Sequence, residues 1–316
     1  MITPDEIQRI LSSIFPQHTV TNLEQLTGGL INTNIKASFE SREPVVLRMY
    51  RDGVEACDKE VAIHNLVSKT IPVPKVLHAD STPIPFSILE FVEGVTFQQL
   101  KQTGDSTAMQ QASASVGKTL ADIGRFEFPA SGRLLPHNGE LIVGEKYVDV
   151  DDPIPELLRQ FLTSPLCSAR LGLELMDRVQ MFADEWSPLL PDLDEHPRLV
   201  HSDFGNRNIL VNEKHGRWEV AAVLDWEFAF SGSPLLDVGH FLRYERFNQP
   251  VREPYFSRAF VEHGGHLPDN WREMVRVIDL TALVQCLTIE NLPEDVESEL
   301  IELITATLER RDMNLV

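Results

Sequence analysis

Residues 199–210 read LVHSDFGNRNIL and set His201, Asp203 and Asn208 at spacings of two and five within an apolar frame. Just downstream, "NILVN" and "WEVAAVLDW" flank the turn-like "EKHG", the pattern of a hairpin over 208–226. A hairpin brings its outer ends together, so Asp203, Asn208 and Asp225 are expected to converge at one edge of a small sheet. Two carboxylates and an amide oxygen are hard ligands. They suit Mg²⁺, which binds few protein groups and completes its shell with water and phosphate oxygens. His201, set among apolar residues, reads as a hydrogen-bonded brace for the loop rather than a proton carrier. Taken singly, Asp203 and Asp225 also read as turn carboxylates and Asn208 as a cap; only their joint spacing favours chemistry.

The elements around this block divide in two. "TPDEIQRILSSIF" opens with Thr3 at an N-cap, Pro4 at the first helical position and Glu6 three residues after the cap, which predicts a short leading helix. Stretches 19–27, 30–39 and 44–50 alternate apolar and polar residues and predict strands. Residues 54–69 carry helical periodicity that Pro72 and Pro74 stop, and 86–94 reads as a buried strand ending at Gly94. After Gly94 amphipathic helices dominate: 106–124, about 154–163, about 167–188, 270–289 and 296–310, with 208–226 as the one β-like interruption. Trp186 and Trp271 fall at helical spacing with core residues. The expectation is an α+β chain of two lobes, a sheet-rich one over 1–94 and a helical one over 95–316, with a ligand cleft between them.

Composition excludes several classes of function. The chain has 316 residues and a formal net charge of −20, with no Lys/Arg cluster of the kind a nucleic-acid footprint needs. No apolar run reaches the roughly 18–20 residues that span a bilayer, and the N-terminus lacks the form of a signal peptide. Cys57, Cys167 and Cys286 are widely spaced without a C-x-x-C pair, so a disulfide framework or zinc site is not expected, and a cytoplasmic location is the simplest. The acidic balance suits a cationic small molecule as well as a merely solubilising surface. "EKYVDVDDPIPE" (145–156) divides the same way between a site for cations and a solvated loop, with the loop the simpler reading.

"HSDFGNRNIL" followed by "VLDWEFAFSGSPLLDVG" resembles the aminoglycoside phosphotransferase and choline kinase superfamily, protein-kinase-like kinases of small molecules. In that group Asp-Trp-Glu or a near relative stands where protein kinases have Asp-Phe-Gly. "LTGGLINTNIKAS", "VVLRMY", "KEVAIHNL", "IPVPKVLHAD" and "LEFVEG" match further segments in the correct order, so the resemblance covers most of the chain. It implies a protein-kinase-like two-lobed fold, a small antiparallel-sheet N-lobe before a larger helical C-lobe. It also implies transfer of the γ-phosphate of ATP or GTP to a hydroxyl of a small molecule, with Mg²⁺. In that scheme Asp203 orients the acceptor hydroxyl, and Asn208 and Asp225 hold the metal. Gly28 and Gly29 let backbone approach the triphosphate. Arg48 contacts phosphates and pairs with Glu60, while the Glu90 carbonyl and the Val92 N–H meet the purine edge. Asp237 would bind backbone amides near the catalytic loop or cap a helix, and Glu227 would reach the metal through water or be a plain loop carboxylate.

Two positions depart from the pattern. Arg48 stands where protein kinases place a lysine, and its planar fork does not substitute simply for an ammonium. Gly124 replaces a histidine found in many relatives and is assigned no catalytic role. Arg48 keeps open a second reading, a catalytically silent nucleotide-binding regulator. A protein kinase is disfavoured by the lack of an A-P-E segment between Asp225 and Asp237.

Overall fold

The computed structural model describes residues 2–26, 32–82, 84–146, 153–190, 196–246 and 252–309. Helix α1 (Pro4–Ile14) starts at the expected capping box: the Thr3 side chain accepts from the Glu6 amide, and the Glu6 carboxylate accepts from the Thr3 amide at 2.8 Å. Strands β1 (Val20–Gln25), β2 (Thr33–Phe39) and β3 (Val45–Met49) follow, then α2 (Val54–Val67), β4 (Val76–Asp80) and β5 (Phe86–Glu90). They form one antiparallel sheet in the order β1-β2-β3-β5-β4. Strand alternation decides what each face does. Val45, Leu47 and Met49 enter a core shared with Ile7 and Leu11 of α1, whereas Arg48 faces the other way and pairs with Glu60 on α2.

The remaining elements are β6 (Val95–Thr96), α3 (Phe97–Thr103), α4 (Ser106–Ile123), β7 (Gly132–His137), β8 (Glu140–Val143), α5 (Pro153–Leu162) and α6 (Pro165–Trp186). They continue with β9 (Arg198–Val200), β10 (Ile209–Lys214), β11 (Arg217–Val223), β12 (Phe230–Gly232), α7 (Leu235–Leu242), α8 (Tyr255–Glu262), α9 (Trp271–Cys286) and α10 (Glu294–Glu309). Helix α6 breaks at Gly172 (φ 71°), a left-handed conformation that glycine adopts without strain, so the expected single helix is two. The large apolar core lies among these helices and also takes in Ile63, Val67 and Ile71, which ties α2 to the second half of the chain.

Two small sheets carry the chemistry-bearing loops. In the first, β10 pairs with β11 through a turn at His215 and Gly216, both at positive φ, and with β6 on its other side. Gly94 abuts this sheet so closely that a Cβ there would lie 2.8 Å from the Val211 carbonyl oxygen. The second sheet has the order β8-β7-β12-β9. The expectation of a single β interruption after Gly94 is therefore corrected: β7, β8, β9 and β12 form a sheet of their own. Among the described residues no helix is long and apolar enough to cross a membrane.

Candidate active site

Strand β9 runs into the loop that carries His201 and Asp203, and the side chains of Asp237, His201 and Arg252 fix that loop. The carboxylate of Asp237, fully buried on α7, accepts the His201 amide at 2.7 Å and the Ser202 amide at 2.9 Å. Burial pushes the Asp237 carboxyl up to about 7, against the pull of those two hydrogen bonds. The buried His201 ring donates from Nε2 to the Leu224 carbonyl (2.8 Å) and accepts the Asp203 amide at Nδ1 (3.2 Å). Both nitrogens are thus occupied by a neutral imidazole, and burial keeps its pKa below the ordinary value. Arg252, fully buried over the Phe97 and Phe241 rings, pairs with Glu245 and donates to Asn206 Oδ1 at 2.9 Å. His201 behaves as the brace that its apolar frame implied.

Asp203 itself is exposed. Asn208 donates from Nδ2 to Asp203 Oδ2 (2.7 Å) and to the Asp203 carbonyl (3.0 Å). The Asn208 carbonyl accepts the amide of Leu224, at 2.8 Å, one residue before Asp225. The hairpin therefore brings Asp203, Asn208 and Asp225 to one edge. Ser202 (φ 71°) and Asp225 (φ 67°) flank this edge in the left-handed region, which non-glycine residues occupy at a cost.

Arg48 comes to the same edge from the other sheet. Its Nε lies 2.9 Å from Glu60 Oε2, its Nη2 lies 2.5 Å from Asp225 Oδ1, and Glu227 Oε2 is 3.7 Å away. Burial works against the guanidinium charge, but Glu60, Asp225 and Glu227 outweigh it and hold the pKa above the ordinary arginine value. His64, one turn beyond Glu60, donates from Nδ1 to the Pro74 carbonyl (2.9 Å), which fixes the ring beside the ion pair.

Two residues join this cluster without having been singled out for it. Lys59 donates to the Glu227 carbonyl at 2.8 Å, and burial pushes its pKa down to about 8. Asn32 donates to Glu227 Oε2 at 2.5 Å and accepts the Arg51 amide. Glu227 is pushed up to about 8 by burial and by Asp225, with Arg48 pulling the other way. Position 227 was visible in Asp-Trp-Glu; Asn32 and Lys59 carried no local signal, because their partners lie 195 and 168 residues away.

The other expected positions divide clearly. Glu90 ends β5 opposite Val45, and Val92 lies in the stretch that joins β5 to β6. Gly28 and Gly29 fall outside the described residues, as do 147–152 of the acidic stretch; Glu156 of that stretch pairs with Arg159 on its own helix. Gly124 caps α4. The donor set fits Mg²⁺. Asn208 spends its amide nitrogen on Asp203, which leaves its side-chain oxygen for a cation, and Asp225 offers Oδ2, unpartnered among the described residues. Among the described residues no three acidic, His or Cys side chains cage an ion by themselves. Mg²⁺ needs no such cage where substrate phosphates supply the remaining oxygens.

This architecture is found in solved structures of aminoglycoside phosphotransferases. A thermostable mutant of APH(4)-Ia, in ternary complex with ADP and hygromycin B, aligns at a TM-score of 0.70 and 20% identity, over 96% of this chain and 97% of that one. The GDP complex of aminoglycoside 2'-phosphotransferase-IIIa aligns at 0.72 and 16% identity, over 97% and 99%. Hygromycin-B 4-O-kinase of Escherichia coli is 25% identical over 300 residues, 93% of this chain and 82% of that protein. Acyl-CoA dehydrogenase family member 11 of Mus musculus is 28% identical over 219 residues, 67% of this chain. The chain spans about a quarter of the length of that relative. Residues 22–274 match the model of the phosphotransferase enzyme family, and the chain belongs to that family.

Proposed function

We propose that this protein transfers the γ-phosphoryl group of ATP or GTP to a hydroxyl of a small molecule, with Mg²⁺, in a cleft between lobes spanning 1–94 and 95–316. The observation that carries the reading is the bond from Asn208 to Asp203 beside Asp225, which gathers a base, an amide oxygen and a carboxylate at one exposed edge. Asp203 orients the acceptor hydroxyl for in-line attack and takes its proton as the new P–O bond forms; the nucleoside diphosphate departs as the old one breaks. Asn208 and Asp225 hold the metal, which when bound neutralises charge on the phosphates. Arg48, anchored by Glu60, keeps Asp225 in position and offers its guanidinium to a phosphate. The Glu90 carbonyl and Val92 N–H meet the purine edge, and Gly28 and Gly29 allow backbone to approach the triphosphate. His201 moves no proton, since both of its nitrogens are engaged.

Family membership and the likeness to nucleotide-bound phosphotransferases support this reading. One observation favours a rival, a silent nucleotide-binding regulator: Arg48 sits 2.5 Å from the carboxylate that the metal would use. Turnover separates the two. Release of ADP or GDP is measured over a panel of hydroxylated acceptors, with product mass as a second readout. Hygromycin B belongs in the panel because a relative is named for it, and hydroxylated acyl-CoA thioesters because other relatives are named for acyl-CoA. Mg²⁺-dependent gain of one phosphoryl group by an acceptor supports the kinase. Nucleotide binding without turnover on any acceptor supports the regulator.

A further inference from the structure

Asp225 stands at φ 67°, in the left-handed region, and such a backbone persists only where its neighbours hold it. Before it, the Leu224 amide is bound to the Asn208 carbonyl. After it, Trp226 is fully buried and donates from its indole to the Val223 carbonyl at 3.2 Å. Glu227 is then gripped from the first half of the chain. Asn32 donates from Nδ2 to Glu227 Oε2 at 2.5 Å, and Lys59 of α2 donates to the Glu227 carbonyl at 2.8 Å.

Asn32 suits this place by both of its polar atoms. It stands three residues after Gly29, directly before β2, and is only 7% exposed. Its Oδ1 accepts the Arg51 amide at 3.2 Å, just past the end of β3. A backbone N–H needs an acceptor and a carboxylate needs a donor, so the side-chain amide fits only one way round. Arg48 Nη2 is 3.7 Å from the same Glu227 oxygen, but its guanidinium is already engaged by Glu60 and Asp225.

We infer that Asn32 and Lys59 are positioning residues for the metal-binding edge. They fix the segment from Asp225 to Glu227 so that Asp225 presents its carboxylate to Mg²⁺-nucleotide. The inference rests on the phosphotransferase reading, which assigns Asp225 to the metal. Asn32 follows the Gly28–Gly29 stretch closely in sequence. One side chain therefore ties the segment assigned to the triphosphate to the segment assigned to the metal. Nucleotide and metal should then bind with a favourable coupling that depends on this side chain.

The test measures dissociation constants of fluorescent ADP and GDP analogues on the whole chain, with and without Mg²⁺. Wild type should gain affinity when Mg²⁺ is present. Asn32→Asp keeps the acceptor for the Arg51 amide but sets one carboxylate against another, and should cut that gain about tenfold. Adding Glu227→Gln lets the new amide donate to the new carboxylate, so the double variant should recover to the level of Glu227→Gln alone. A residue that only stabilises the fold would not move the Mg²⁺-dependent part, nor be rescued by exchanging donor and acceptor. Lys59→Met, at a half-buried position, removes the other contact and should cut the gain about threefold. It keeps the test open if Asn32→Asp does not fold. Loss of the gain in these variants, with recovery in the double variant, supports the inference. A full gain in Asn32→Asp or in Lys59→Met, or a double variant no better than Asn32→Asp, overturns it and leaves phosphoryl transfer intact. A wild type that binds neither nucleotide with Mg²⁺ removes the phosphotransferase reading, and the inference with it.

Discussion

Arg48 Nη2 lies 2.5 Å from Asp225 Oδ1, a contact that spans 177 residues of sequence and joins the five-stranded sheet to the hairpin beside Asp203. The same guanidinium uses Nε on Glu60, so helix α2 and the Asp225 segment are held by one planar group. A lysine is a single point charge and cannot make both contacts in this geometry. Arg48→Lys should therefore weaken the coupling between α2 and Asp225, lowering kcat more than nucleotide affinity. Arg48→Met is harsher, since it leaves the buried Glu60 carboxylate with only His64, 3.8 Å away, beside it. Its denaturation midpoint should reveal a loss of about 3–5 kcal/mol, partly restored by adding Glu60→Gln. An unchanged midpoint would remove Arg48 from its structural role.

Asp203→Ala should reduce phosphoryl transfer by about 10²–10⁴-fold while Mg²⁺-nucleotide affinity stays near wild type, because the residue is assigned to the acceptor and not to the metal. Single-turnover kinetics with nucleotide titrations give both numbers. Equal turnover in mutant and wild type would take Asp203 out of the reaction.

Asp237→Asn tests the support beneath the loop. One amide oxygen replaces two carboxylate oxygens, so the His201 or Ser202 N–H loses its acceptor and faces an NH₂ group instead. The loss should be about 1–3 kcal/mol of stability, together with a fall in kcat at unchanged nucleotide affinity. Thermal melts and steady-state kinetics on the same preparation separate the two effects.

The buried histidines His201 and His240 contribute stability that acid removes, against the raised carboxyls of Asp237 and Glu227, whose contribution has the opposite sign. Burial and the neighbouring Arg243 guanidinium push His240 down to about 4, with Asp279 opposing. His201 is shifted the same way by burial. At these two histidines the unfolded chain then binds more protons than the folded one between pH about 6.5 and 4, whereas at Asp237 and Glu227 the folded chain binds more. The histidine contribution is full above that window and falls as pH drops through it, by at most about 1.4 kcal/mol per pH unit for each histidine. The change in urea midpoint from pH 7 to pH 5 should shift toward greater acid resistance in His240→Leu relative to wild type; an unchanged difference would contradict the assignment.

Local sequence signals revealed the parts of the fold that short-range chemistry builds. The Thr3 capping box, the 208–226 hairpin and the His201-x-Asp203-x4-Asn208 spacing all involve residues near one another in the chain, and each is realised. Helix α7 escaped notice because Leu235–Leu242 is apolar nearly all round, and a fully buried helix shows no amphipathic stripe. The β7–β8 hairpin did leave a signal: Asn138 (φ 52°) and Gly139 (φ 81°) form the Asn-Gly turn that favours two-residue hairpins. The grip of Arg48 on Asp225 and that of Lys59 on Glu227 had none. Such contacts depend on how two sheets and a helix dock, which no local pattern encodes.

The most direct test of the central claim is a thermal melt with AMP-PNP and with GMP-PNP, each with and without Mg²⁺, on wild type and on Asp225→Asn. A ligand at about 100 times its dissociation constant adds about 2.7 kcal/mol, enough to raise the melting temperature by several degrees. The account predicts a rise that depends on Mg²⁺ for at least one nucleotide and shrinks sharply in Asp225→Asn. No rise with either nucleotide, or an equal rise in Asp225→Asn, would contradict it.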